Sequence, residues 1–332
     1  MRDLKRKKQI IRAVSGLLLS LLLSVSAGAQ SLIPGGNTIG MKVTLDGLLV
    51  ASVDRDSAAE AAGLRTGDLL QKLGNDPLEN TQMLLDAVAE GRPIAVTVRS
   101  GSSVRRVLVQ PTEKDGTYRL GASVRDHVAG IGTVSFYDPE TGTFGALGHG
   151  ICDSGGALLL PIRDGIVIPS AVSGVAKGVS GAAGQLQGEF EPGRILGAIR
   201  ENTSAGVFGT MDAPDREAIP VAAAEEVRTG PAVIYANVSG TEVRQYTAEI
   251  VRIYEGAANN RDLLVRITDP ALLEVTGGIV QGMSGSPILQ DGKLVGAVTH
   301  VLLNTPELGY GILMENMLEA SGGDYDAISA DS

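Results

Sequence analysis

Glycine is the residue that most constrains how this chain folds. Forty-four glycines are distributed over 332 positions. Each glycine inside a helix is destabilising by roughly 0.5–1 kcal/mol relative to alanine, so long helices are disfavoured. Between the glycines lie short apolar runs such as PIAVTVRS, ALLLPI, GIVIPSAV, AVIYANV, YTAEIVRIY and DLLVRITD. Runs of this length, rich in Val and Ile and bounded by turn residues, read as strands. Aromatic residues make up 3% and tryptophan is absent, so the core must be packed with Val, Ile, Leu and Ala. The expectation is a mainly β protein, with a sandwich or barrel as its largest unit. No fixed-period repeat is visible.

The same inventory excludes several chemistries. A single cysteine, Cys152, permits no intramolecular disulfide. It reads as a small buried residue, although its closeness to His149 keeps a reactive role open. Three histidines, with no HExxH or CxxC, argue against a metal site, and no cofactor is expected.

The N-terminus is set apart. MRDLKRKKQIIR carries six basic residues and one acid, followed by AVSGLLLSLLLSVSA and the small residues Ala27-Gly28-Ala29. This order of charge, apolar core and A-x-A-like site predicts a secretory signal over residues 1–30. The apolar run is short for a membrane span, which needs about 20 residues, and an uncleaved anchor is the alternative. The net charge is −10, and taking away the leader's +5 leaves −15 on the body. So acidic a body disfavours nucleic acid and anionic lipid as partners. Export would leave the chain outside the membrane, with membrane proximity through the N-terminal segment.

Residues 31–38 (SLIPGGNT) read as a linker, and a compact unit is expected over 39–112. Within it, Met83, Leu84, Ala87 and Val88 recur at helical spacing, with Asn80 or Thr81 as the cap. The stretch SAAEAAGLRTGD (57–68) is a short Ala-rich helix that Gly63 can end in a left-handed cap. Gly67 and Asp68 then turn into a strand. These residues resemble the PDZ domains of bacterial periplasmic proteases, whose hallmark is S-x-A-x-x-A-G-L-x-x-G-D. The resemblance implies a groove that takes a peptide C-terminus as an added strand, with its carboxylate near the amides of Ile39, Gly40 and Met41. A PDZ fold kept only as a spacer is the other reading.

From 118 to about 320 the texture is of short strands and frequent turns. The last residues, 321–332, are small and acidic and read as a disordered tail. Residues 277–301, GGIVQGMSGSPILQDGKLVGAVTHV, contain Ser284 within G-x-S-G. That pattern is weak alone, since it recurs at Gly178-Val179-Ser180-Gly181. The residues after Ser284 are more telling. Pro287-Ile288-Leu289, the turn Asp291-Gly292 and a return strand from Lys293 predict a hairpin. Trypsin-like proteases place their nucleophile just before such a hairpin. The amides of the nucleophile and of the residue two before it must then share one target, which nominates Gly282 and Ser284. A serine needs a base. His149, in ALGHGICD, lies N-terminal to the serine, in the trypsin-like chain order. His300 ends a strand 16 residues after Ser284, and His127 is the third choice. For the acid that fixes the imidazole tautomer, Asp269 in VRITDP and Asp153 four residues after His149 remain open, ahead of Asp164 and Asp262.

Taken together, VRDHVAGIGTVSFYDPETGTFGALGHGICD, GPAVIYANVSG and TGGIVQGMSGSPILQDGKLVGAVTHV resemble the sporulation stage-IV B serine peptidases of endospore formers. The resemblance covers nearly the whole chain. It implies a PDZ domain followed by a trypsin-like double β-barrel peptidase, with the family's serine, histidine and aspartate on Ser284, His149 and Asp269. His127 stands where a small polar residue is expected. The resemblance further implies export from the forespore into the intermembrane space. There the family's peptidase cleaves itself near its N-terminus. It also cleaves a membrane-bound regulator of an intramembrane metalloprotease, which triggers processing of the mother-cell sigma factor. A non-catalytic PDZ adaptor that binds peptide C-termini is the alternative from a different class.

Overall fold

The computed structural model describes residues 30–322, except 154, 155, 157, 255, 257 and 258. The expected signal segment and all but two residues of the expected acidic tail lie outside the described residues. Among the described residues, no helix is long and apolar enough to cross a membrane. The chain is mainly β.

Two six-stranded rings dominate the structure. In the first, Ala122–Asp138 pairs with Thr143–Ala146, which pairs with Gly206–Met211 and then Gly197–Thr203. Ile162–Ala176 comes next, and Thr38–Val53 closes the ring by pairing with both Ile162–Ala176 and Ala122–Asp138. The second is a closed barrel of Gly230–Ala236, Arg244–Ile253, Leu263–Ile267, Leu308–Leu313, Lys293–Val301 and Pro287–Gln290. Closure removes the exposed strand edges that would otherwise invite pairing with other chains. Each barrel fills with aliphatic side chains. Val43, Leu45, Val134, Leu160, Val167 and Ile199 lie in the first, and Ile234, Ile250, Leu263, Val265, Ile288 and Val298 in the second.

The Asp291-Gly292 turn illustrates local sequence dictating structure. Gln290 pairs with Lys293 across it, and both turn residues have positive φ, 53° and 79°. A two-residue hairpin needs that backbone twist, and Asp-Gly supplies it at low strain.

The expected domain boundaries need correction. Residues 31–38 are not a linker: Ser31–Pro34 pairs with Ile219–Pro220 on one side and with Phe136 and Tyr137 on the other. Residues 39–45 belong to the first barrel rather than to the PDZ unit. The strand Thr38–Val53 runs out of the barrel, bends at Asp46-Gly47, and continues as an inner strand of the PDZ sheet, between Leu69–Leu73 and the start of Ala122–Asp138. Its partner Ala122–Asp138 returns along it. Thr44 pairs with His127 on the barrel side of the bend, and Leu49 with Arg125 beyond it. The PDZ unit is therefore inserted into the first barrel on a two-stranded ribbon. The apolar alternation shifts phase at the bend, from Ile39, Met41, Val43 and Leu45 to Leu48 and Val50, and nothing local says that its two halves pair with different bodies.

The inserted unit has its own core, including Leu48, Val50, Leu64, Leu70, Leu84, Val88, Val96 and Val98. Its helix Thr81–Ala89 starts at Asn80, whose side chain accepts from Met83 N at 3.0 Å. The short helix Ala58–Ala61 is capped by Ser57, which accepts from Glu60 N at 3.2 Å. Gly63 comes after it with φ 76°. Asp68 of the Gly-Asp pair is buried, accepting from Arg65 N at 3.0 Å and from Arg105 Nη2 at 2.8 Å.

Candidate active site

The two barrels meet along a cleft of about 910 Å³ that contains His149, Ser284 and His300. The first barrel supplies His149 through a tight reversal. Leu147 and Gly148, the two residues before it, both have left-handed φ, 71° and 67°. A bulky residue at positive φ is uncommon and concentrates at functional sites. Asn202 braces the segment after His149, accepting from Ile151 N at 2.8 Å and donating to the carbonyls of Ile151 and Leu160.

Ser284 sits in the turn before the Pro287–Gln290 hairpin strand. The carbonyl of Gln281 accepts from Leu186 N at 2.8 Å, and that of Met283 accepts from Ser286 N at 2.9 Å. In a trans peptide the N–H points opposite to the C=O. Anchoring those two carbonyls therefore turns out the N–H groups of Gly282 and Ser284. Neither N–H has a hydrogen-bond partner among the described residues. Gly282 has φ 97°, which glycine adopts without penalty. Two unpaired donors beside a serine hydroxyl are what an oxyanion requires.

The histidines differ in their surroundings. His149 Nδ1 donates to the Gly150 carbonyl at 3.0 Å. A carbonyl only accepts, so this bond places the proton on Nδ1 and leaves Nε2 with a free lone pair. Burial holds the His149 pKa below its usual value, opposed by the Gly150 hydrogen bond. His300 shares the cleft, its ring centroid 5.0 Å from that of His149 at 37°. Its pKa is pushed down to about 4, first by desolvation, then by the neighbouring His149 and Arg261. His127 lies away from the cleft and pairs with Asp126 at 2.6 Å. The thiol of Cys152 is pushed up by burial and then by Asp153, which leaves it a poor nucleophile.

The structure does not bring Asp269 to His149. Asp269 caps the helix Pro270–Thr276, accepting from Ala271 N at 3.0 Å and Leu272 N at 3.1 Å, and it also accepts from Thr247 N at 3.2 Å. The sequence TDPALLEV carries this signal plainly, as Asp-Pro before a helix is a cap followed by proline at its first position. Asp153 lines the cleft, and its carboxylate accepts from Leu158 N at 2.9 Å. Asp262 is buried and accepts from Leu313 N and Asn316 Nδ2, both at 2.8 Å. Asp164 accepts from Thr44 Oγ1 at the surface. Asp269, Asp262 and Asp164 are thus committed elsewhere, and a backbone carbonyl, that of Gly150, sets the tautomer of His149. Asp269→Asn preserves the cap and is expected to leave kcat within about threefold, where a lost tautomer-fixing acid costs about 10⁴. Asp269→Ala is expected to lower stability by about 1 kcal/mol in denaturant titration.

Ser180, the other G-x-S-G serine, donates to the Asn304 carbonyl at 3.0 Å in an exposed turn. Ile39, Gly40 and Met41 cannot receive a peptide strand. One edge pairs with Gly132, Ile131 and Gly130, and the other with Pro169, Ile168 and Val167. A second apolar–Gly–apolar triplet, Leu120-Gly121-Ala122, carries the same pattern and stands in the inserted unit, where Leu120 O accepts from Ala59 N and Gly121 O from Asp54 N, each at 2.8 Å.

The pH response is set by the two rings. His149 must be neutral to act as a base, and its lowered pKa places the acid limb of kcat/KM below pH 6.5. Stability changes with the same sign. Between pH 6.5 and about 4 the unfolded chain protonates His300 while the folded chain does not, so stability is full above that window and falls through it. His300→Gln is expected to show a smaller drop in Tm between about pH 7 and about pH 4.5 than the wild type.

A serine with two free amide donors, facing a cleft that holds an imidazole with a free Nε2, is the equipment of a serine endopeptidase. The profile of the SpoIVB peptidase S55 family matches residues 116–318, and the chain belongs to that family. No curated protein matches the sequence. Among solved structures, the PDZ domain of an SdrC-like protein from Listeria monocytogenes is 26% identical, over 25% of this chain and 93% of that one, with a TM-score of 0.23. The inactive form of the Rv3671c protease, from M. tuberculosis, is 15% identical over 60% of this chain and 85% of that one, with a TM-score of 0.33. The HtrA-type protease AlgW with a decapeptide is 11% identical over 90% and 65%, with a TM-score of 0.35.

Proposed function

We propose that Ser284 is the nucleophile and His149 the general base of an exported signalling endopeptidase that forms an acyl-enzyme. In the resting enzyme Ser284 Oγ donates to the Thr299 carbonyl at 2.8 Å. Substrate binding rotates the hydroxyl towards Nε2 of His149, which takes its proton as Oγ attacks the scissile carbonyl. The N–H groups of Gly282 and Ser284 receive the oxyanion. His149 then returns the proton to the leaving amine, and water repeats the sequence on the ester. The observation that carries this reading is the pair of anchored carbonyls at Gln281 and Met283, which turn both flanking N–H groups out unpaired next to Ser284.

The substrates are proteins. We assign the chain's own N-terminal region and a membrane-bound regulator of an intramembrane metalloprotease as targets, reached after export into the space between two membranes. Cleavage of that regulator would trigger sigma factor processing. Membership of the S55 family and the signal-like leader support this. The inserted PDZ unit captures peptide C-termini at Leu120-Gly121-Ala122, a placement supported by the occupied edges of residues 39–41.

The test is cleavage in trans. Purified wild-type protein is mixed with the full-length Ser284→Ala protein, and N-terminal trimming of the latter is followed by mass spectrometry, with a rhodamine-tagged fluorophosphonate as a parallel label. Trimming together with labelling of the wild type alone is the expected result. Absence of both, with tight binding of C-terminal peptides, would identify an adaptor instead.

A further inference from the structure

We infer that Thr133 is a positioning residue that registers the serine loop and the histidine loop to one another, and that its hydroxyl holds the oxyanion site in shape. This rests on Ser284 and His149 acting as proposed above.

Thr133 lies on the first-barrel strand Ala122–Asp138 and is 1% exposed. All three of its polar groups are committed. Its N–H donates to the Ser284 carbonyl at 3.1 Å, its carbonyl accepts from Leu147 N at 3.1 Å, and its Oγ1 donates to the Gly282 carbonyl at 2.6 Å. One residue of the first barrel thus holds both the nucleophile turn of the second barrel and Leu147, two residues before His149. The close approach is built in. A Cβ on Gly285 would lie 2.0 Å from the Thr133 carbonyl oxygen, and a Cβ on Gly132 would lie 2.3 Å from Leu147 Cδ2.

The hydroxyl has the more specific task. The two oxyanion donors belong to the peptides 281–282 and 283–284. The peptide between them, 282–283, is the one whose carbonyl Thr133 Oγ1 holds. Glycine at 282 lets that middle peptide rotate with little steric penalty. Any rotation changes the angle between its flanking peptides, and with it the convergence of the two N–H groups. The N–H of that peptide donates to the Val280 carbonyl at 3.0 Å, and a neighbouring hydroxyl, which can only donate to a carbonyl, holds its other end, so the two bonds together fix one orientation. Preorganised donors contribute to catalysis because they need not reorganise during reaction. The hydroxyl therefore matters for the rate at which charge develops, and little for encounter with the reagent.

The experiment uses the full-length protein and inactivation by a rhodamine-tagged fluorophosphonate, whose phosphoryl oxygen gains charge in the same site. Thr133→Val keeps the shape and removes the donor. It is expected to lower kinact by about 10- to 100-fold with KI unchanged within threefold, and Thr133→Ser is expected to stay within about threefold of wild type. A merely structural role would lower Tm in both variants and leave kinact of the folded fraction unchanged. A folded Thr133→Val protein labelled within threefold of wild type overturns the inference. If Thr133→Val does not fold, Thr133→Cys decides, because its thiol keeps the volume but donates weakly. Its kinact is expected at least fivefold below that of Thr133→Ser, and equality overturns the inference. A wild-type protein that takes no label at all would defeat the assignment of Ser284, and this inference with it. Labelling lost in Ser284→Ala but unaffected in Thr133→Val would defeat the inference alone.

Discussion

Ser284→Ala is expected to lower kcat by about 10⁴- to 10⁶-fold, His149→Ala by a similar factor, and the double variant by no more than either single one. The lack of additivity is the informative part. The hydroxyl attacks only when Nε2 removes its proton, so losing either partner removes the same step. The residual rate should stand about 10³- to 10⁴-fold above water, because the amides of Gly282 and Ser284 survive both substitutions. Neither change should unfold the protein. Among the described residues the Ser284 hydroxyl makes one bond, to the Thr299 carbonyl, and a single bond of this kind contributes about 0.5–1.5 kcal/mol. Kinetics on the full-length Ser284→Ala substrate, with Tm measured alongside, check the prediction. A double variant 100-fold slower than both singles would mean that the two residues act independently.

Gly285→Ala has the second large effect, and it acts on packing and catalysis together. Gly285 has φ 98°, a region where a Cβ is strained. The added carbon would lie 2.0 Å from the Thr133 oxygen and 2.6 Å from Leu147 N. Both obstacles are backbone, so neither side can yield by changing rotamer. The nucleophile turn must move away from the first barrel, which breaks Thr133 N–H to Ser284 O and separates Ser284 from His149. A displacement of about 1 Å can lower turnover by about 10²-fold, and kcat is expected to fall at least that far. Overpacking of this kind costs about 1–3 kcal/mol, so Tm should fall as well. Retained kcat with unchanged Tm would show that the barrels tolerate separation at this point.

The two predictions separate what local sequence governs from what assembly governs. The hairpin after Ser284 was legible because Asp291-Gly292 has few other backbone uses. The turn that leaves the Gly282 and Ser284 amides unpaired among the described residues is legible for a similar reason, since glycine two residues before a serine permits that peptide orientation. The Asn80 cap and the Ser57 helix are set by short-range hydrogen bonds. Asp269 is a cap and not a partner of His149 because the residue type suits two purposes. A carboxylate 15 residues before Ser284 can orient a histidine or cap a helix, and here the backbone N–H groups of Ala271 and Leu272 claim it. The position of His300 is set by assembly instead. A histidine late in a core strand reads as structural until the second barrel turns its ring to within 5.0 Å of the His149 ring centroid.

By itself the sequence determined the β class, the turn chemistry, the hairpin after Ser284 and the family to which the blocks carrying His149 and Ser284 belong. All of these depend on contacts within a few residues, or on backbone conformations that only certain side chains allow. The tertiary structure alone decided that the PDZ unit is inserted through a split strand, because the barrel strands that the first half of Thr38–Val53 pairs with lie far along the chain. It alone decided that Ile39-Gly40-Met41 is sealed inside a barrel, since both of its edges are taken by segments about 90 and 130 positions away. It also decided that Thr133, an ordinary β-branched residue in an ordinary strand, binds both halves of the site. Its three hydrogen bonds run to residues 14, 149 and 151 positions along the chain, and no local pattern encodes contacts at that range.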